Sequence, residues 1–119
     1  MPNIDKSLFS KMNYSTSTLG HYLRGLRKQK NETLHQVSMG TDIDSPMLSK
    51  IERGERLPTI QQLTRLSNYY KIVEEDLKIK YTAEKILKDY GINETTYEAI
   101  QLVNEQLNTY GLKPKRRKL

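Results

Sequence analysis

The sequence contains no cysteine, no tryptophan, one phenylalanine and only two histidines, at positions 21 and 35. The lack of cysteine excludes disulfide bonds and thiolate metal sites, and two histidines alone do not complete a zinc site. No apolar stretch approaches the ~20 residues that span a bilayer, and the N-terminus lacks the apolar core of a signal peptide. We therefore expect an intracellular protein without a metal, a cofactor or a membrane segment.

Positive charge is concentrated at the C-terminal end of the chain. The 119 residues carry a net charge of +6, of which +5 lies in residues 113–119, whereas residues 19–77 carry nine basic and eight acidic side chains. A basic tail can bind a polyanion nonspecifically or simply keep the protein soluble. Because only 35% of the residues are hydrophobic, the core must be modest, and oligomerisation is the expected additional source of stability.

Apolar residues recur at helical spacing from residue 19 onward, after a polar segment, 1–18, that we interpret as a flexible arm. Residues that commonly precede a helix mark the expected helix starts: Thr18, Thr33, Asp44 and Thr59. Gln36 completes a capping box with Thr33, and a fifth helix is expected from about Val73 through Leu77. The pattern thus predicts a five-helix domain over residues 19–77, with one buried face on each helix. In the fourth helix this face is formed by Ile60, Leu63, Leu66 and Tyr70.

Helical periodicity continues beyond this domain, over residues 78–112. One stripe runs from Ile79 to Tyr90, Gly91 interrupts it, and Asn93 or Thr95 begins another helix. The second helix has apolar residues alternately three and four apart, centred on Ile100, Val103 and Leu107. We expect a helical hairpin that serves as a dimer interface, followed by a disordered basic tail at residues 113–119.

A motif of known type occupies residues 33–59, which read TLHQVSMGTDIDSPMLSKIERGERLPT. Together with LRGLR in the first helix, LSKIERG in the third and the following loop proline, it resembles the Xre family of helix-turn-helix domains, related to phage repressors and Cro proteins. The resemblance covers Leu19 to Leu77. It implies an all-α fold, namely a five-helix phage-repressor-like helix-turn-helix domain, here with a C-terminal helical extension, and a cytoplasmic, nucleoid-associated protein of a prokaryote.

The third helix is the expected reader of double-stranded DNA, because a helix ~10 Å wide fits the ~12 Å major groove. The resemblance assigns base reading to Ser45, Pro46, Ser49 and Lys50. The helical period places Met47 on the same side of the helix. We expect Lys50 to bind guanine O6 and N7, and the two serines to form adaptable hydrogen bonds. Met47 or Pro46 would contact a thymine methyl group.

Phosphate contacts in the family come from the start of the second helix and from the loop after the third, which here implies Thr33, Arg53 and Arg56. Two positions depart from the family pattern. Leu34 replaces a glutamine that often binds phosphate, and Asp42 replaces the glycine of the turn. The resemblance also implies that Arg27 and Glu52 form a structural ion pair between the first and third helices, which is costly to break.

The leading interpretation is a transcriptional regulator that binds an inverted-repeat operator as a homodimeric repressor. Two interaction functions remain alternatives: an antitoxin-like protein that binds a partner protein through its C-terminal hairpin, or a controller of a restriction-modification locus. A nonspecific architectural or RNA-binding protein, driven by the basic tail, is a further alternative. The sequence has no pairing of nucleophile and base, no phosphate-binding loop and no metal cluster, so we do not expect an enzyme.

Overall fold

The computed structural model describes residues 18–115 and contains six α-helices within that range. In chain order, the helices α1 to α6 are Thr18–Gln29, Leu34–Thr41, Ser45–Glu52, Ile60–Tyr70, Glu74–Tyr90 and Glu94–Thr109. No strand occurs among these residues, so the predicted all-α class is confirmed. The predicted arm, up to residue 17, and the tail residues 116–119 lie outside the described residues.

Helix starts follow the sequence closely because the capping interactions are local. Thr33 Oγ1 accepts a hydrogen bond from the Gln36 amide at 3.1 Å, and Gln36 Oε1 accepts one from the Thr33 amide at 2.7 Å. Thr59 caps α4 in the same reciprocal way. Asp44 Oδ1 accepts from the Met47 amide at 2.8 Å at the start of α3. These bonds satisfy amide groups that have no partner inside their own helix, which confirms the predicted caps at Thr33, Asp44 and Thr59. Thr18, the other predicted helix start, is itself the first residue of α1.

The hydrophobic core lies between the first five helices and includes the α2–α3 turn. Its fully buried apolar residues are Leu19, Leu23, Val37, Ile43, Leu48, Ile51, Leu63, Leu66 and Leu77. Each such side chain contributes about 1.5–3 kcal/mol of burial free energy, so nine of them define one small core. One predicted core position is wrong: Ile60 is 50% exposed, because it is the first residue of α4 and extends past the end of the packed face.

Helices α1 and α3 cross at very short distance at Gly20. A Cβ atom on Gly20 would lie 2.5 Å from both the Ile51 and the Glu52 carbonyl oxygens. Since real Cβ atoms do not approach backbone oxygen so closely, only glycine permits this crossing. The contact fixes α3 against α1.

Helix α5 passes without a break through the predicted domain boundary at residue 77. The predicted fifth helix and the stripe from Ile79 to Tyr90 therefore belong to one helix, Glu74–Tyr90, which packs against α1 and α4. Leu77 is buried in the core, and Lys80 Nζ lies 4.8 Å from the centre of the Tyr22 ring, a cation–π contact with α1. The second half of α5 thus continues the same helix beyond the predicted domain.

Helix α6 follows α5 after a connection of three residues, 91–93. Asn93 caps it by accepting from the Thr96 amide at 2.9 Å, but among residues 18–115 no helix packs along its length. The connection is fixed by Asn93 Nδ2 and Thr96 Oγ1, which both donate to the Tyr90 carbonyl at 3.1 Å. These bonds fix the start of α6 against the end of α5, and apolar residues of both helices, including Ile86 and Val103, line one open groove. Ile100, Val103 and Leu107 remain 38%, 46% and 44% exposed.

Candidate nucleic-acid interface

The turn between α2 and α3 is held by backbone geometry and by one buried threonine. Asp42 adopts a left-handed conformation with φ 59° and ψ 31°, a region that favours glycine and admits aspartate. Thr41 Oγ1 donates to the Val37 carbonyl at 2.8 Å and accepts from the Ile43 amide at 3.3 Å, while the Ile43 side chain is buried. The positive φ explains why a glycine is expected here. Asp42 keeps the turn and adds a negative charge.

The outer face of α3 carries the five residues predicted to meet base edges. Pro46 and Lys50 are exposed, and Ser45 and Ser49 are half-buried on the same surface. Lys50 forms no salt bridge with any residue in the described part of the chain, so its ammonium group is available to a ligand. Met47 differs from the other four, because it is half-buried and packs against the hydrophobic core. Only part of its side chain faces outward.

Arg53 and Ser49, predicted as a phosphate ligand and a base reader, contact each other. Arg53 Nη1 donates to Ser49 Oγ at 2.8 Å, and Arg53 Nε forms a salt bridge with Glu55 Oε2 at 2.6 Å. The Ser49 hydroxyl accepts this bond and keeps its own proton for another acceptor. The guanidinium is shared with a carboxylate, so a DNA phosphate would compete with Glu55 for Arg53.

The loop that follows α3 is closed by its own backbone. The Glu55 and Arg56 amides donate to the Lys50 carbonyl at 2.9 and 3.3 Å, and Gly54 adopts φ 74°. Arg56 is exposed and forms no salt bridge within residues 18–115. The loop therefore holds the Arg56 backbone firmly beside α3 and leaves its side chain free to reach an anion.

At the start of α2, Thr33 is exposed at the end of the helix that carries the positive end of the dipole. Its hydroxyl oxygen is occupied by the Gln36 amide, whereas the hydroxyl proton remains available for donation. Leu34 packs half-buried against the core, which accounts for an apolar residue where the family often has glutamine. A phosphate at this position would meet Thr33 and backbone amides.

Behind α3, Arg27 and Glu52 form a buried bidentate ion pair. Arg27 Nε and Nη2 each donate to a Glu52 carboxylate oxygen at 2.9 Å, and Arg27 Nη1 donates to the Glu32 carbonyl at 3.0 Å. Hydrogen bonding to Glu52 raises the pKa of the Arg27 guanidinium above its ordinary value. The pair joins α1 to the last turn of α3, so it orients the helix that carries the candidate base readers.

These elements form a short helix, a tight turn and a second helix with an exposed outer face. A family model described as a helix-turn-helix domain matches residues 18–78. The chain belongs to this family. The match is consistent with the Xre resemblance, and such domains are typically DNA-binding and not enzymatic. Comparisons with the curated proteins and with the solved structures gave no match.

One side of the helix-turn-helix domain carries an arginine, Arg24, to which the sequence pattern assigned no role. A cleft of about 390 Å³ between α1 and α3 is lined by His21, Arg24, Glu52 and Arg53. Arg24 is exposed about one turn before Arg27, and both arginines belong to the LRGLR segment of the first helix, which was the signal in the sequence for this side chain. Among residues 18–115, no group of acidic or histidine side chains is arranged to hold a metal ion, and no helix is long and apolar enough to cross a membrane.

Proposed function

We propose that this protein is a sequence-specific transcriptional regulator of the Xre type that reads the major groove of DNA with α3. One observation carries the proposal: α3 presents Pro46 and Lys50 outward while its inner face is fixed by Leu48, Ile51 and the Arg27–Glu52 ion pair. A base-reading helix must be held at a fixed angle because discrimination between bases depends on hydrogen-bond geometry. The packing around α3 supplies that angle.

Each contact residue has a role that follows from its chemistry and its place in the fold. Lys50 is the proposed guanine reader, Ser45 and Ser49 offer hydroxyl groups, and Pro46, with the exposed part of Met47, offers an apolar surface to a thymine methyl. Phosphates would meet the three residues at the two ends of the reading surface, Thr33, Arg53 and Arg56. Arg53 has to exchange Glu55 for phosphate on binding.

The protein would bind its operator as a homodimer through α6. The exposed residues Ile100, Val103 and Leu107 alternate three and four apart, so they form one stripe along the helix. The helical period places Glu98 and Glu105 on the opposite side. Two copies could therefore join their stripes without bringing like charges together, and two linked reading heads would bind an inverted repeat more tightly than one.

Selection of bound sequences from a random pool of DNA duplexes, at physiological salt and with the full chain, tests the proposal. We expect a palindromic motif with half-sites about one helical turn apart. A chain lacking residues 113–119 is the matched control, since it keeps α3 and loses the basic tail. Failure to enrich a motif, together with binding that disappears at moderate salt or in the truncated chain, would refute sequence-specific reading and favour nonspecific binding by the tail.

The dimer has a test of its own. The variant Ile100→Asp/Val103→Asp places two carboxylates in the apolar stripe and should sediment as a monomer, because burying unpaired charges opposes association. The control Gln101→Asp/Asn108→Asp adds the same charge to α6 outside the stripe, about 100° around the helix from Ile100 and Leu107, and should remain dimeric. An unchanged dimer in the stripe variant would show that the interface lies elsewhere.

A partner protein is a second candidate occupant of this region, as in the antitoxin-like interpretation. The observation in its favour is a groove of about 640 Å³ between the end of α5 and the start of α6, lined in part by Ile86, Tyr90 and Ile100. The same sedimentation measurement separates the candidates. A monomer of the unmodified chain at micromolar concentration would favour a heterologous partner over a second copy.

A further inference from the structure

Lys88 lies in α5, beyond residue 78, where the helix-turn-helix match ends. Its ammonium group donates to the Gly54 carbonyl oxygen at 2.6 Å. Gly54 belongs to the loop that carries Arg53 and Arg56, the proposed phosphate ligands after α3. A cation from the C-terminal extension is therefore held directly against the loop that is expected to follow the DNA backbone.

The charge of Lys88 is not neutralised by a neighbouring carboxylate. On the same helix, Asp89 pairs with Lys85 at 3.2 Å, and in the loop Glu55 pairs with Arg53. Lys88 is exposed and forms no salt bridge with any residue from 18 to 115. The carbonyl of Gly54 uses one of its three N–H groups, so two donors and a full positive charge remain.

The ammonium group of Lys88 adds positive charge to the loop after α3, whose own net positive charge is small. Since Glu55 offsets Arg53, the loop itself presents one uncompensated cation, Arg56, and Lys88 supplies a second. The carbonyl contact also limits the motion of a long side chain, which reduces the entropy lost when it binds. We propose that Lys88 is a DNA-phosphate ligand, contributed to the reading surface by the helix beyond the helix-turn-helix domain.

This inference rests on the proposed DNA-binding function and extends it to a residue outside the family match. A different role is possible for the same contact, in which Lys88 only holds the loop in place through its hydrogen bond to Gly54. The two roles differ in their dependence on salt. A phosphate ligand releases a condensed counterion when it binds, whereas a loop-positioning residue does not.

The experiment measures the dissociation constant of a labelled duplex at 50 to 200 mM salt by fluorescence anisotropy, for the full chain and for variants of Lys88. Lys88→Met and Lys88→Gln should bind more weakly at low salt, and the slope of log affinity against log salt should fall by ~0.9 for each bound protomer. The ratio of the dissociation constants of these variants and the unmodified chain should therefore fall about 3.5-fold per bound protomer between 50 and 200 mM salt. Lys88→Arg should keep the slope.

Lys78→Met is the matched control. Lys78 is another lysine of α5, half-buried, but it lies near the other end of the helix, paired with Glu74 at 3.4 Å. The Lys78→Met variant should leave the slope of log affinity against log salt unchanged, although it removes the same net charge as Lys88→Met. An equal change in both variants would show a general charge effect and overturn the inference.

Two other results would also overturn it. An unchanged slope in Lys88→Met excludes a phosphate contact, and weaker binding by Lys88→Gln with an unchanged slope assigns Lys88 to loop positioning alone. Failure of the unmodified chain to bind any duplex is a separate outcome: it refutes the proposed function itself, and the role of Lys88 with it.

Discussion

Breaking the ion pair between Arg27 and Glu52 should lower the free energy of unfolding by about 3–5 kcal/mol. The two side chains are 10% and 7% exposed, so a charge left alone there cannot be hydrated without opening the contact between α1 and α3. Glu52→Gln removes the negative charge and turns an amide N–H₂ group toward a guanidinium N–H, donor against donor. Domains of this size have total stabilities of roughly 5–15 kcal/mol, so the loss would be a large fraction of the whole.

Urea denaturation followed by helical circular dichroism measures this effect, with stability obtained by linear extrapolation. Glu55→Gln is the control, because it breaks the exposed pair with Arg53, for which a loss below about 1 kcal/mol is expected. The double variant Arg27→Met/Glu52→Met leaves no unpaired charge and should lose less than the sum of the single variants. The reasoning is refuted if Glu52→Gln costs no more than Glu55→Gln.

Three further predictions concern single side chains. Gly20→Ala should cost about 1–3 kcal/mol or more in the same denaturation experiment, because its Cβ would meet two carbonyl oxygens at 2.5 Å; an unchanged midpoint would contradict the close crossing. Burial raises the pKa of the Tyr70 phenol above its ordinary value, so the contribution of this group to the free energy of unfolding is complete below about pH 10 and is lost as pH rises further. Tyr70→Phe should reduce this loss of stability at alkaline pH, and an unaltered pH profile of the variant would contradict the prediction. Lys50→Ala should relax base preference at one position of the selected motif, and the same motif with undiminished preference would remove Lys50 from the base readers.

Local interactions made much of this fold predictable. Thr33, Asp44 and Thr59 cap helices through partners three residues away, so their roles can be recognised in the sequence itself. The apolar periodicity also identified the buried faces of α1 to α4. In α5 the predicted stripe from Ile79 to Tyr90 is wrong as a buried face, because Leu87 and Tyr90 are exposed and the buried residues are Leu77, Lys80 and Glu84. The prediction that Ile60 is buried was wrong, because periodicity assigns a residue to a face of the helix and does not show where the packing surface ends.

Features that depend on distant residues were not predictable in this way. The close crossing at Gly20 requires the path of α3, and the contact between Lys88 and Gly54 joins residues 34 positions apart. The angle between α5 and α6 is likewise not contained in the apolar stripes, which are compatible with several directions of α6. The bonds from Asn93 and Thr96 to the Tyr90 carbonyl shape the connection, and the stripe pattern does not contain them.

Arg53 illustrates why a residue matched to a motif need not act at full strength. Its guanidinium already pairs with Glu55, so a phosphate that binds Arg53 has to break that ion pair. The binding free energy gained is then only the difference between the new ion pair and the one that is lost. Asp42 and Asp44 add negative charge near the same surface. Specific binding therefore has to depend on the cations without carboxylate partners, which is a physical reason for giving Lys50, Arg56 and Lys88 greater weight than Arg53.

Helix α5 also links the reading surface to the proposed dimer interface. Its first half packs on α1 and α4, Lys88 near its end contacts the loop after α3, and the hydrogen-bonded connection at Asn93 leads directly into α6. If two chains join through α6, this continuous path fixes the separation and the relative angle of their α3 helices. The spacing of operator half-sites would then be decided by residues 74–109, most of which lie outside the helix-turn-helix match. Proteins that share this reading head but differ in the extension would accordingly recognise similar half-sites at different separations.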